Sequence, residues 1–183
     1  MGSHVIVTEV NPIKALEAHM DGFQVMQISE AAQMGDIFIT ATGDTDVITG
    51  KEMEKMRDDV FLANSGHFNV EIDVQYLKEN GKILSRRGGI ETYLLGEKRV
   101  NLLGEGRLVN LALAEGHPPE VMDMSFAAQA LSVHYINSFS ELEKKVLTMP
   151  KDLDEKIARA KLEAEGVKID DLTEEQKRYL GSF

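Results

Sequence analysis

The sequence predicts an α/β chain: an incomplete doubly wound parallel sheet that opens on its second strand, followed by a β-ribbon and C-terminal helices. Three observations carry this expectation. From Val5 to Asn64, short apolar runs of strand length alternate with stretches of helical periodicity, the pattern of a parallel sheet covered on both faces. No Gly-x-Gly-x-x-Gly precedes the first run, although a doubly wound nucleotide-binding sheet begins with a strand feeding such a turn. Past Asp73 the alternation gives way to three strand-like runs, and from Pro119 onward to helices.

Val5-Ile6-Val7-Thr8-Glu9-Val10 is rich in β-branched residues and reads as a strand. Asn11 then offers a helix cap, Pro12 suits the first helical position, and Ile13, Leu16 and Met20 form a stripe that Gly22 ends. Residues 23–26 read as a short strand and residues 29–35 as a short capped helix. Asp36-Ile37-Phe38-Ile39-Thr40-Ala41-Thr42 is an apolar strand running into Gly43. Thr49-Gly50-Lys51-Glu52 matches a capping box and predicts a helix to about Arg57. Val60-Phe61-Leu62-Ala63-Asn64 is the next buried strand. Residues 73–80 read as a helix closed by Gly81. Residues 83–85, 90–95 and 99–103 then read as strands, the last two joined at Gly96-Glu97, and together suggest a ribbon on the sheet edge. Val121, Met122, Met124, Phe126, Ala127, Ala130, Leu131 and Val133 leave the helix over residues 119–136 little polar face, so it should be buried on most sides. The charged stretch 151–180, with a second capping box at Thr173-Glu174-Glu175-Gln176, reads as solvated amphipathic helices.

Composition narrows the class of function. A chain of 183 residues with 43% apolar content supports one good core, alone or with an appendage. A formal charge of −11 argues against a nucleic-acid partner, whose phosphates it would repel. The absence of cysteine removes disulfide and thiolate chemistry and suits a cytoplasmic protein. No apolar run approaches the length of a membrane span, and no metal-ligand spacing is present. Met1-Gly2-Ser3-His4 reads equally as an expression scar or as natural chain.

The candidate chemistry lies at strand ends. Ala63-Asn64-Ser65-Gly66-His67-Phe68-Asn69-Val70-Glu71-Ile72-Asp73 places a histidine directly after a glycine at the end of a strand, and Gly116-His117 repeats the pair. Histidine titrates near neutrality, so His67 and His117 are candidates for general acid or base work; each alone also reads as an ordinary loop histidine. Glu9 ends the first run, where dinucleotide-binding folds place a carboxylate on the adenosine ribose diol; a carboxylate there disfavours a 2′-phosphate, and so selects NAD over NADP. Standing alone, Glu9 equally reads as a solvated acid. Thr42-Gly43-Asp44-Thr45 allows close backbone approach to a nicotinamide or ribose, or forms a plain strand-to-helix turn. Asn110 carries both a donor and an acceptor, matching a carboxamide such as that of nicotinamide. Gly104-Glu105-Gly106 lacks the third glycine of a phosphate loop.

These segments, in their order and spacing, resemble S-adenosylhomocysteine hydrolase from Val5 to Gly181. The matching stretches are Val5 to Pro12, Gly66 to Asp73, Glu105-Gly106-Arg107-Leu108-Val109-Asn110-Leu111, Gly116-His117-Pro118, Val121-Met122-Asp123-Met124-Ser125-Phe126 and Leu172-Thr173-Glu174-Glu175-Gln176. The resemblance implies a Rossmann-type fold and the reversible hydrolysis of S-adenosyl-L-homocysteine to adenosine and L-homocysteine, a step of one-carbon metabolism. In that family a tightly held NAD oxidises the ribose 3′-hydroxyl, homocysteine is eliminated, water adds, and the ketone is reduced. Carried over by position, Glu9 would bind the NAD adenosine ribose. Thr42, Gly43, Ser65, Gly66, His67 and Asn110 would line the cofactor. His117 would contact cofactor and substrate, and Leu108, Gly116, Met122 and Phe126 would enclose the substrate. His67 and His117 are the expected catalytic residues.

Departures shape the remaining expectations. The family's substrate domain and glycine-rich turn would lie before Val5, so the chain reads as roughly the C-terminal half of a short-form member. The Lys- and Tyr-bearing extension of longer members is not matched, and Lys14 and Glu115 stand where other members often carry Asn and Met. Residues 1–118 are expected to form a partial NAD-binding domain with its ribbon, and 119–183 a helical segment facing the substrate domain and an oligomer interface. The isolated chain is expected to be inactive, to bind NAD weakly or not at all, and to form a homo-oligomer (dimer or tetramer) or pair with an N-terminal half. The alternative is a non-catalytic, oligomerising half of a split nucleotide-binding domain. A D-2-hydroxyacid dehydrogenase would share the layout, but its Arg, Glu and His set is not found in sequence order.

Overall fold

The computed structural model describes residues 2–182. It divides into two compact units, one ending at Gly116 and the other beginning at His117.

In the first unit, β1 (Ile6–Val7), α1 (Pro12–Met20) and β2 (Gln24–Val25) come first, then α2 (Ile28–Ala31), β3 (Ile37–Thr40), α3 (Gly50–Met53) and β4 (Val60–Asn64). There follow α4 (Val74–Asn80), β5 (Lys82–Arg87), β6 (Ile90–Leu95), β7 (Lys98–Leu103), a 3₁₀ turn over Gly104–Gly106 and α5 (Val109–Ala112). The alternation of strands and helices is the mixed α/β arrangement expected of a Rossmann-type domain. The main sheet has the order β3-β4-β7-β6-β5. β3, β4 and β7 are parallel, with Ile39 opposite Ala63 and Leu62 opposite Leu102. β6 and β5 continue the sheet antiparallel. The ribbon is therefore not an appendage: its last strand is the third parallel strand, and β5 is the outer edge.

β1 and β2 form a separate two-stranded parallel sheet. The run over residues 5–10 predicts a longer strand than the two residues found. Local capping chemistry competes with extension here. One oxygen of Glu9 accepts from Val10 N (2.6 Å) and Asn11 N (2.8 Å), while Asn11 caps α1 through Ile13 N (2.9 Å) and Lys14 N (3.3 Å).

Other boundaries also move. α2 starts at Ile28, ahead of Ser29, with no side-chain cap. α3 has the expected capping box, Thr49 N and Oγ1 donating to Glu52 Oε2 at 3.0 and 2.6 Å, but ends at Met53. α4 begins at Val74, one residue later than expected, because Asp73 serves as its cap, accepting from Tyr76 N at 2.8 Å.

The core lies against the main sheet. Ile48, Met53, Met56, Val60, Leu62, Ile72, Leu77, Tyr93, Val100 and Leu102 are buried together. Burying a side chain such as Leu62 contributes about 1.5–3 kcal/mol each. The buried polar side chains of β6 and β7 are paired. Tyr93 donates to Glu91 (2.8 Å), which also accepts from Arg86 (2.7 Å), and Asn101 donates to Asp59 (3.0 Å) and Val60 O (3.2 Å). Among the described residues none before Ala31 is buried.

The second unit holds α6 (Pro119–Asn137), α7 (Lys151–Ala164) and α8 (Glu174–Leu180). α6 packs against α7, with Lys161 Nζ 3.7 Å from Asp123 and 3.4 Å from Glu165. The expectation that α6 is buried on most sides is not met: none of its residues is buried, and Phe126 and Val133 are exposed. One neighbouring helix covers only one stripe of a cylinder that is apolar nearly all round. α7 and α8 are solvated, and the capping box at Thr173 and Gln176 forms as expected.

Candidate cofactor rim

Parallel strands send their C-terminal ends to a common rim, from which the connecting loops depart. Here β3, β4 and β7 deliver three loops: Thr42–Gly43 onward after β3, Ser65 to Val70 after β4, and Gly104 to Asn110 after β7.

Two buried polar side chains join these loops. Asn64, at the end of β4, is fully buried. Its Oδ1 accepts from Thr40 Oγ1 (3.1 Å) and Gly66 N (2.6 Å), and its Nδ2 donates to Phe68 O (2.8 Å) and Gly106 O (2.9 Å). Its backbone pairs with Leu108 in a parallel bridge. Glu71 is also fully buried. It accepts from Thr42 N and Oγ1, both at 2.9 Å, and from Gly43 N at 2.8 Å. Burial pushes this carboxyl up, but the bonds from Thr42 and Gly43 outweigh it and leave it below the usual carboxylate range.

Neither Asn64 nor Glu71 stands among the sequence-predicted site residues. The available signal was a single carboxylate inside the apolar run Val70-Glu71-Ile72, since a charge so placed is buried only with partners.

The predicted residues fall into three groups. Thr42, Gly43, Ser65, Gly66, His67, Leu108 and Asn110 come together on the rim through these bonds and the Leu108 bridge. Thr42, Gly43, Ser65 and His67 are exposed, and the His67 ring meets Phe68 edge-on at 4.5 Å. Gly43 has a φ of +75° with open space where a Cβ would lie, so its backbone can be approached closely. Gly116 N donates to Asn110 O at 3.2 Å. Glu9 lies just past β1, and the Asn11 and Val10 amides hold its carboxyl below the usual range. His117, Met122 and Phe126 belong to the second unit. Met122 and Phe126 lie one helical turn apart on α6, and His117 is exposed ahead of it.

Asn110 carries the most direct sign of a ligand. Its Oδ1 is buried and has no hydrogen-bond partner, a costly condition unless another molecule supplies the donor. An amide N–H suits it. The Glu9 bonds to Val10 and Asn11 both use Oε1, so Oε2 remains for a hydroxyl. These donors and acceptors fit a dinucleotide carrying a carboxamide and a ribose diol. Among the described residues no group of three His, Asp or Glu could hold a metal ion, and no helix is long and apolar enough to cross a membrane.

Comparison with known proteins gives the same cofactor. The family model described as S-adenosyl-L-homocysteine hydrolase, NAD binding domain, matches residues 1–116. The chain is similar to adenosylhomocysteinase of Saccharolobus solfataricus, 58% identical over 98% of this chain and 44% of that protein. The adenosylhomocysteinase of Aquifex aeolicus is 58% identical over 100% of this chain and 44% of its own length. A protein named S-inosyl-L-homocysteine hydrolase in Methanopyrus kandleri is 54% identical, again over 100% of this chain and 44% of its own length. The chain thus spans less than half the length of these curated relatives.

Proposed function

We propose that this chain, which belongs to the S-adenosyl-L-homocysteine hydrolase family by its match over residues 1–116, is the cofactor-holding part of an adenosylhomocysteinase. The unpaired Asn110 Oδ1, on the same rim as Thr42, Gly43, Ser65, Gly66 and His67, carries this reading. Asn110 receives the nicotinamide carboxamide, and Glu9 receives the adenosine ribose. NAD, when bound, supplies the hydride acceptor for oxidation of the substrate ribose. His67 and His117 move protons, and Leu108, Gly116, Met122 and Phe126 enclose the nucleoside. Residues 1–118 act as the cofactor domain and 119–183 as the helical side toward substrate and oligomer.

Among the described residues no glycine-rich turn presents a helix N-terminus to the pyrophosphate, so the chain alone binds NAD weakly. β3 is an edge strand with Ile37 and Ile39 exposed. Such an edge recruits a further strand, which supports an oligomer or a paired N-terminal half; the same edge favours, as the second reading, a non-catalytic, oligomerising half of a split nucleotide-binding domain. A cytoplasmic setting accords with the cysteine-free composition.

The test mixes this chain with the part of the S. solfataricus relative that it does not match. Adenosine release from S-adenosylhomocysteine, and inosine release from S-inosylhomocysteine, are then measured. The mixture should release adenosine and bind NAD, with Glu9→Ala weakening NAD and His67→Ala cutting turnover by about 10²–10⁴. Release by the chain alone at the rate of an intact hydrolase would overturn the reading, as would a formed complex with no release from either substrate. Inosine alone would assign the other substrate.

A further inference from the structure

We propose that Glu71 is a positioning residue: its buried carboxylate locks the Thr42–Gly43 loop against the Gly66–His67 loop and so sets the rim on which the cofactor rests. The proposal rests on the cofactor reading above and adds to it a residue that touches neither cofactor nor substrate.

Glu71 makes an expensive arrangement for a side chain that could have been apolar. Taking a carboxylate out of water costs several kcal/mol unless its oxygens are well bonded. Arginine, lysine and histidine do not supply that compensation here: the Glu71 carboxylate accepts from Thr42 N, Thr42 Oγ1 and Gly43 N, with the Thr40 hydroxyl beside it. All three donors belong to one loop. Further along, the loop is held by the backbone bond from Asp46 N to Val70 O at 3.0 Å. Thr42, Gly43, Asp44 and Thr45 are exposed, and among the described residues no other side chain from outside the loop bonds Thr42 or Gly43.

The other end of the connection is Gly66. A Cβ added there would collide with Glu71 Oε1 and come within 2.9 Å of Asn64 Oδ1. The His67 loop can therefore close down only because residue 66 has no side chain, and what it closes on is the Glu71 carboxylate. Backbone bonds keep the carboxylate's own segment fixed: Ile48 N donates to Glu71 O at 2.9 Å, and Asp73 N to Ile48 O at 2.9 Å. Asn64 joins the strand ends at the base of these loops, and Glu71 sets how closely Thr42 and Gly43 approach Gly66 beyond that point. Charge-assisted bonds of this kind are about twice as strong as neutral ones. A glutamine in the same place would aim an NH₂ group at an N–H donor.

Glu71→Gln is examined in the isolated chain by amide spectra and hydrogen exchange, and in the complex reconstituted with the N-terminal part of the relative by NAD titration. The Leu62 and Leu102 amides should stay protected, showing an intact core. The Thr42 and Gly43 amide protons should move upfield and exchange about tenfold faster or more. NAD affinity should fall roughly tenfold to a hundredfold, as displaced positioning groups typically cost. If Glu71→Gln loses the core protection, Gly66→Ala is the second variant. It pushes the carboxylate off Gly43 and should give the same Thr42 and Gly43 signature. Unchanged Thr42 and Gly43 amides, or unchanged NAD affinity with those amides loosened, would overturn the proposal. A parent complex that binds no NAD would overturn the cofactor reading instead, and the amide signature would still decide whether Glu71 locks the loop.

Discussion

β4 and the run at residues 5–10 both read as strands in the sequence, yet they end in opposite conditions. β4 lies between β3 and β7, and four of its five residues are buried. β1 keeps two residues, pairs only with β2, and buries neither. The helix α1 follows suit, with Ile13, Leu16 and Met20 exposed at 69%, 57% and 78%. Local pattern selects the type of element, but burial depends on neighbours that the pattern does not contain. A strand is held by partners on both edges, and a helix by a sheet face to lie on.

The largest expected effect is at the centre of β4. Leu62→Ala should cost about 2–5 kcal/mol in urea unfolding, whereas Leu16→Ala should stay within about 0.5 kcal/mol. Equal costs at the two sites would break the comparison.

Next is alkaline pH. Burial, then the bond to Glu91, pushes the Tyr93 hydroxyl up to about 12 from 10.0. A raised folded value stabilises the fold fully below the unfolded value and loses that contribution as pH rises through the folded one. Stability should fall between about pH 10 and 12, followed by circular dichroism, and Tyr93→Phe should flatten the fall. Residues 5–25 contain no tyrosine, so their local order should not follow this window.

The smallest effect sharpens the contrast at the caps. Thr49→Ala should lower global stability by about 1 kcal/mol. Asn11→Ala, removing an equally good cap, should reduce helical signal while leaving the unfolding midpoint in place, because α1 can open without exposing the core. A shifted midpoint for Asn11→Ala would show that α1 is coupled to the main sheet.

Much of this was legible from short-range chemistry. The capping boxes at Thr49 and Thr173, the Asn11 cap and the Gly96-Glu97 hairpin all depend on residues within a few positions of each other. The parallel pairing of β7 with β4 was not, because nothing near residue 98 records which strand will accept it. The failed burial of α6 has the same origin: its composition demands cover on all sides, and composition does not say what will provide it. At the rim, His67 and the glycines stood out as residues with chemical uses. Asn64 and Glu71, which hold those residues together, act through distant partners such as Gly106 O, 42 positions from Asn64, and only the lone carboxylate in Val70-Glu71-Ile72 hinted at them.

The position of β7 also bears on the order in which the molecule assembles. The β6–β7 hairpin closes a short loop and can form early, but Val60 must find Val100 across α4 and two other strands. Long-range closures of this kind are slow because their entropy is lost before any contact rewards it. Asn64 gains its Gly106 acceptor and its Leu108 neighbour only after that closure. The rim is consequently complete only once β7 has docked on β4: β3, α3 and β4 alone lack the Gly106 and Leu108 partners of Asn64.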